Sequence, residues 1–172
     1  MKYFLSFFTM FLFFLSPVIS EQKIVFVDIN KVISTSNPGS SILKQLEKIN
    51  DKNITFLKDE EVKFKEREKK IITQKNIISE IDFKDKVDEL KSEINNYNQN
   101  KKKLIKEFNQ LKIDSTNKLL KQINPILIKF SNDNKISIIL QKKNLIIGKE
   151  ELDITNEIIK IVNNDIKEFI IK

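Results

Sequence analysis

Basic side chains gather in two short runs of this 172-residue chain: Lys63, Lys65, Arg67, Lys69 and Lys70, then Lys101, Lys102, Lys103 and Lys106. Cations at that density draw in anionic surfaces or acidic segments and raise association rates. Covalent chemistry has far less to work with. The chain has no His and no Cys, so the usual general base, thiol nucleophile and zinc ligands are missing. Two Gly in the whole sequence leave no phosphate-cradling loop and no nucleophile elbow. The carboxylate pairs Glu60-Glu61 and Asp88-Glu89 lie in charge-rich stretches with helical patterning, where solvation is their ordinary role. No enzyme, metal or cofactor is expected.

The elements that would carry these charges start after an export segment. Lys2 precedes an apolar run from Tyr3 to Leu15, broken only by Ser6 and Thr9, and Pro17 and a small Ser20 follow. This is the layout of a secretory signal peptide over residues 1–20 with cleavage after Ser20. A membrane anchor is the competing reading, but a span needs about 20 apolar residues, and this run is shorter and closed by Pro17. The net charge of +7 falls to +6 once Lys2 is removed. An exported chain meets anionic membrane surfaces or acidic segments before it meets nucleic acid, so no nucleic-acid partner is expected.

Three zones follow. Lys23 to Ile29 is a β-branched run of strand length, and Asn37-Pro38-Gly39-Ser40 reads as a turn, with Ser40 or Ser41 capping the next helix. Residues 41–132 then read as a helical hairpin. In its first half Leu43, Leu57, Phe64, Ile71 and Ile78 keep heptad spacing, with Asn50 in the polar slot. In its second half one register holds Phe83, Leu90, Tyr97, Leu104 and Leu111, and the other Val87, Ile94 and Phe108, with Lys101 and Ser115 as breaks. Such 3-4 spacing is a coiled-coil seam. The register changes near 79–85, which places the tip there. Arms of about 38 residues reach about 57 Å. The last zone reads as strands at 136–140 and 145–147 and an amphipathic helix over 154–170. Residues 21–40 and 133–172 would thus form a discontinuous body. Three short strands and a helix cannot bury their own apolar faces alone, so this body is expected to oligomerise.

With Lys23-Ile24-Val25-Phe26-Val27-Asp28 opening the mature chain, the charged hairpin following, and Ile136-Ser137-Ile138-Ile139-Leu140 and Asp153-Ile154-Thr155-Asn156-Glu157-Ile158-Ile159 closing it, the sequence resembles the Skp (OmpH) family of periplasmic chaperones along nearly all of its mature length. The resemblance implies a mainly α fold with a small β base, in which a long antiparallel coiled-coil arm stands on a trimerising β-barrel body flanked by helices. Ile24, Val25, Phe26, Val27, Ile136, Ile138, Ile139, Leu140, Leu145, Ile146 and Ile147 would build that body. It also implies a periplasmic holdase in which three arms enclose unfolded outer-membrane proteins. Relatives have basic tips suited to anionic lipid. Here residues 75–95 hold four Lys against six Asp and Glu, so no lipid-binding residue is carried over, and an anionic membrane surface remains a partner suggested by net charge alone.

Gripping an unfolded chain requires spread-out apolar contacts and charge rather than a reactive group. Off-seam apolar residues of the arm are the candidates: Ile49, Phe56, Val62, Ile72, Ile77, Ile105 and Ile113. Each could instead thicken the seam or meet the base, Ile49 and Ile113 above all. The two lysine runs would form an electrostatic belt. A non-chaperone envelope scaffold or spacer would use the same hairpin, and suppression of aggregation separates the two.

Overall fold

The structure, a computed structural model, describes residues 22–167 and 169–171. The apolar N-terminal segment and the cleavage expected after Ser20 lie outside the described residues.

Strand β1 (Lys23–Val27) buries Val25, Phe26 and Val27. Asp28 then accepts a hydrogen bond from Lys31 N at 2.9 Å and caps a short helix, α1 (Ile29–Thr35). Ser36 closes α1 through its own N–H and caps α2 (Asn37–Gln74) by accepting from Gly39 N at 3.3 Å. Asn37-Pro38-Gly39-Ser40, expected as a turn, is therefore the first turn of a helix. Proline is at ease there, because the first helical N–H groups lack partners in any case. Gly39 is needed for closeness rather than for a bend: a Cβ on it would stand 1.6 Å from the carbonyl oxygen of Ile33.

The arm is formed by α2 and α3 (Glu80–Asp133), of 38 and 54 residues. Its tip lies at 75–79, ahead of the expected 79–85. Local chemistry sets it: Ser79 accepts from Asp82 N at 3.1 Å, and Glu80 and Asp82 occupy the positive end of α3. The seam runs through Ile71, Leu90 and Tyr97, all buried. At the foot it departs from the heptad reading. Leu43 is exposed, and Ile42 and Leu46 point inward, because α2 there also packs against α1 and the last helix.

Beyond α3, Lys135 takes a left-handed conformation (φ 54°) and turns the chain into β2 (Ile136–Gln141). The two strands are parallel, Ile24 opposite Ile138 and Phe26 opposite Leu140, with an irregularity after Lys23. Parallel neighbours need a long crossover, and here the entire arm serves as that crossover. Leu145-Ile146-Ile147, expected as a third strand, is irregular, and it follows a 3-10 turn at Lys142–Asn144. A strand needs a partner, and β1's free side is taken instead by Asp153, with Ile154 N donating to Phe26 O at 3.0 Å. Among the described residues the chain thus forms a two-stranded sheet, not a barrel. The last helix, α4 (Thr155–Asp165), stops short of the expected 170. The main chain of residues 169–171 bonds to a side chain of α2 instead of continuing the helix. One core at the foot joins Val25, Val27, Val32, Leu119, Ile123, Ile158 and Val162. No helix among the described residues is long and apolar enough to cross a membrane.

Candidate functional site

Six of the seven apolar candidates on the arm stand out in solvent. Phe56, Val62, Ile72, Ile77, Ile105 and Ile113 are each more than half exposed. Ile49 is partly buried and belongs to the seam side. The exposed set forms no single stripe: at 3.6 residues per turn, Phe56 and Val62 lie about 120° apart around α2. Ile81 and Ile128 are exposed in the same way, and Ile54 is exposed to 41%. They meet the same off-seam criterion, and sequence reasoning overlooked them.

The cationic runs separate into two populations. Arg67 donates from Nη1 to both carboxylate oxygens of Glu93 and pairs through Nη2 with Glu89 at 2.8 Å. Lys101 pairs with Glu61 at 3.0 Å, and the Tyr97 hydroxyl donates to that same carboxylate at 2.7 Å. The Tyr97 ring meets Phe64 edge-on, with centroids 5.4 Å apart. The bond from Tyr97, followed by that from Lys101, holds the Glu61 carboxyl below the usual glutamate range. Burial, reinforced by Glu61, pushes the Tyr97 hydroxyl up. Arg67 and Lys101, expected in the electrostatic belt, also tie the two helices together. Their partners lie 22 to 40 residues away in sequence, beyond what local charge patterning can reveal. Lys63 pairs with Glu60 and Lys103 with Glu107 on their own helices. Lys65, Lys69, Lys70, Lys102 and Lys106 are exposed and form no ion pair among the described residues. These five are the belt's unpaired members.

The body residues also divide. Val25, Phe26, Val27 and Ile136 are buried within the chain, and Ile139 and Leu145 are partly buried. Gly148 lies so close to Phe26 that a Cβ would come within 2.6 Å of the ring. Ile24, Ile138 and Leu140 remain exposed on the sheet, and Ile146 and Ile147 are 99% and 89% exposed. On its far side β2 has no partner strand among the described residues. An open edge beside uncovered apolar side chains is a surface that recruits another strand. Among the described residues no cluster could hold a metal ion.

No curated protein matches this sequence. A crystal structure of an OmpH-like protein from Caulobacter crescentus CB15 superposes with a TM-score of 0.81 at 14% identity, covering 88% of this chain and 89% of the other. At that identity the likeness speaks for the fold: a helical hairpin on a small parallel sheet. The sequence model of the family "Outer membrane protein (OmpH-like)" matches residues 23–162, from the first residue of β1 into α4. This chain belongs to the OmpH-like family.

Proposed function

We propose that this protein is a periplasmic holdase for unfolded outer-membrane proteins. Three copies join through their small sheets into a closed β body, and three arms enclose a cavity that keeps a client from aggregating. Export uses residues 1–20, with cleavage after Ser20. The observation that carries the reading is the apolar surface a single chain leaves uncovered: Ile138, Leu140, Ile146 and Ile147 beside the open edge of β2, and Phe56, Val62, Ile72 and Ile105 along the arm. The first set suits self-association by strand addition. The second suits a grip made of many weak contacts, none strong enough to trap a client, whose sum is large. Exposed Lys65, Lys69, Lys70, Lys102 and Lys106 would speed capture of acidic segments and keep the complex soluble.

The test is light scattering after a urea-unfolded outer-membrane β-barrel is diluted with and without the purified protein. Suppressed scattering is expected, weakened by added salt and by Phe56→Ser. A scaffold or spacer would leave scattering unchanged, and that result refutes the reading.

A further inference from the structure

After α4 the chain runs back over the foot of the arm, and its main chain is read there by one side chain. Gln45 Nε2 donates to Phe169 O at 2.6 Å, and Gln45 Oε1 accepts from Ile171 N at 3.0 Å. The amide of Gln45 thus takes the place of a neighbouring strand, satisfying a carbonyl and an N–H two residues apart. It is held ready for this by its own helix, with Nε2 also donating to Ser41 Oγ at 3.1 Å and Ser41 O at 3.2 Å. Ser41 Oγ adds a long contact to Phe169 O at 3.4 Å.

Side chains of the tail alternate in the same rhythm. Phe169 and Ile171 are partly buried, whereas Ile170 between them is 75% exposed. Phe169 and Ile171 share a recess with Leu111, Ser115 and Lys118 of α3, and the Lys118 ammonium stands 5.7 Å from the Phe169 ring centroid. Main-chain bonds carry no preference for sequence. The apolar positions ask only for a large side chain at every second residue. Together they describe a receptor for an extended segment of alternating apolarity, the pattern of a membrane-spanning β-strand.

We propose that this recess at the foot of the arm, between Gln45 of α2 and Leu111–Lys118 of α3, is a binding site for extended, alternately apolar client segments, and that the chain's own tail occupies it until a client displaces it. The client half of this inference rests on the holdase reading above. A tail that fills its own receptor lowers apparent affinity by the fraction of time the receptor is open. It also shields, in the empty protein, the part of the core against which Phe169 and Ile171 pack.

The experiment uses the chain carrying Phe169→Ser and Ile171→Ser, which loosens the tail and leaves Gln45 and the α3 side of the recess unchanged. A chain ending at Ile166 empties the recess by a second route. The probe is a fluorescein-labelled peptide spanning Asp165 to Lys172, followed by anisotropy. Both altered chains should bind it about tenfold more tightly than the intact chain, if the tail is seated nine-tenths of the time. Adding Gln45→Ala should remove that gain, and a urea-unfolded outer-membrane β-barrel should displace the peptide. Equal binding by intact and altered chains, or a gain that survives Gln45→Ala, would overturn the site. So would bound peptide that the unfolded barrel leaves in place while the intact chain still suppresses aggregation; the holdase reading would then stand without it. If no chain suppresses aggregation, the holdase reading fails and the client assignment with it, and a Gln45-dependent gain would support only a seat for the tail.

Discussion

The foot of the molecule and its arm draw on the same few residue types, chiefly Ile, Leu, Lys and Asn, and hold together in different ways. At the foot, Val32, Leu119, Ile123, Ile158 and Val162 are completely shielded, and six elements share one core. Along the arm the best-buried side chains, Ile71, Leu90 and Tyr97, retain 6 to 9% exposure, and two helices share one narrow seam. Burial decides where stability resides, because each apolar side chain fully removed from water contributes about 1.5–3 kcal/mol. The arm compensates with polar bonds across the seam: Arg67 to Glu89 and Glu93, and Lys101 and Tyr97 to Glu61. The charged partners remain partly open to solvent, so each ion pair adds little to stability. Their value is in register, since a uniform apolar seam could slide by a heptad whereas paired charges cannot. A well-buried foot and a thinly buried, registered arm would suit the holdase proposed above.

The contrast can be broken most sharply at the foot. Leu119→Ala should cost about 2–5 kcal/mol and lower the urea midpoint of the whole chain, foot and arm together. Loss of arm signal alone would mean that the foot is not the common support. Leu90→Asp should instead open the arm and spare the foot. Hydrogen exchange is expected to accelerate across 57–97 and to stay slow in Val25–Val27 and α4, and uniform acceleration would erase the distinction drawn between the regions. Arg67→Ala should change stability by less than about 1 kcal/mol. Cysteine crosslinks placed across the seam should nevertheless show mixed pairings in that variant, whereas a single pairing would deny the clamp its register role. The smallest effect concerns acid. The Glu61 pKa is lowered in the folded chain, so its contribution is complete above the ordinary glutamate pKa of about 4.3 and is lost as pH falls through the depressed value. Helix content measured against pH should therefore fall slightly more in the native chain than in Glu61→Gln, and coincident curves would show that the contact is idle.

The arm was legible in the sequence because heptad spacing is a local code, and Leu57, Phe64, Leu90 and Leu104 all obey it. What stayed hidden depends on partners far along the chain. Arg67 and Lys101 looked only like members of the electrostatic belt, since their carboxylates come from the opposite helix. Leu145-Ile146-Ile147 has the composition of a strand, yet backbone hydrogen bonding needs a neighbour, and among the described residues Asp153 and Ile154 hold the side of β1 that β2 leaves free. Asn37-Pro38-Gly39-Ser40 carries turn residues that Ser36 and the close approach of Ile33 convert into a helix start. The tail's seat on Gln45 had no legible signal, because a side-chain amide bonding to main chain leaves no pattern in residue types. The exposure of Phe56, Val62, Ile72, Ile77, Ile105 and Ile113 was legible: being off the seam marks a residue as available, but cannot say what it touches.

The central claim is that three such arms, borne on one body, hold a single unfolded client. Native mass spectrometry of the purified protein mixed with a urea-unfolded outer-membrane β-barrel tests it most directly. The expected species is three chains with one barrel polypeptide, alongside an empty trimer. A single chain that remains monomeric and carries no barrel polypeptide would contradict it.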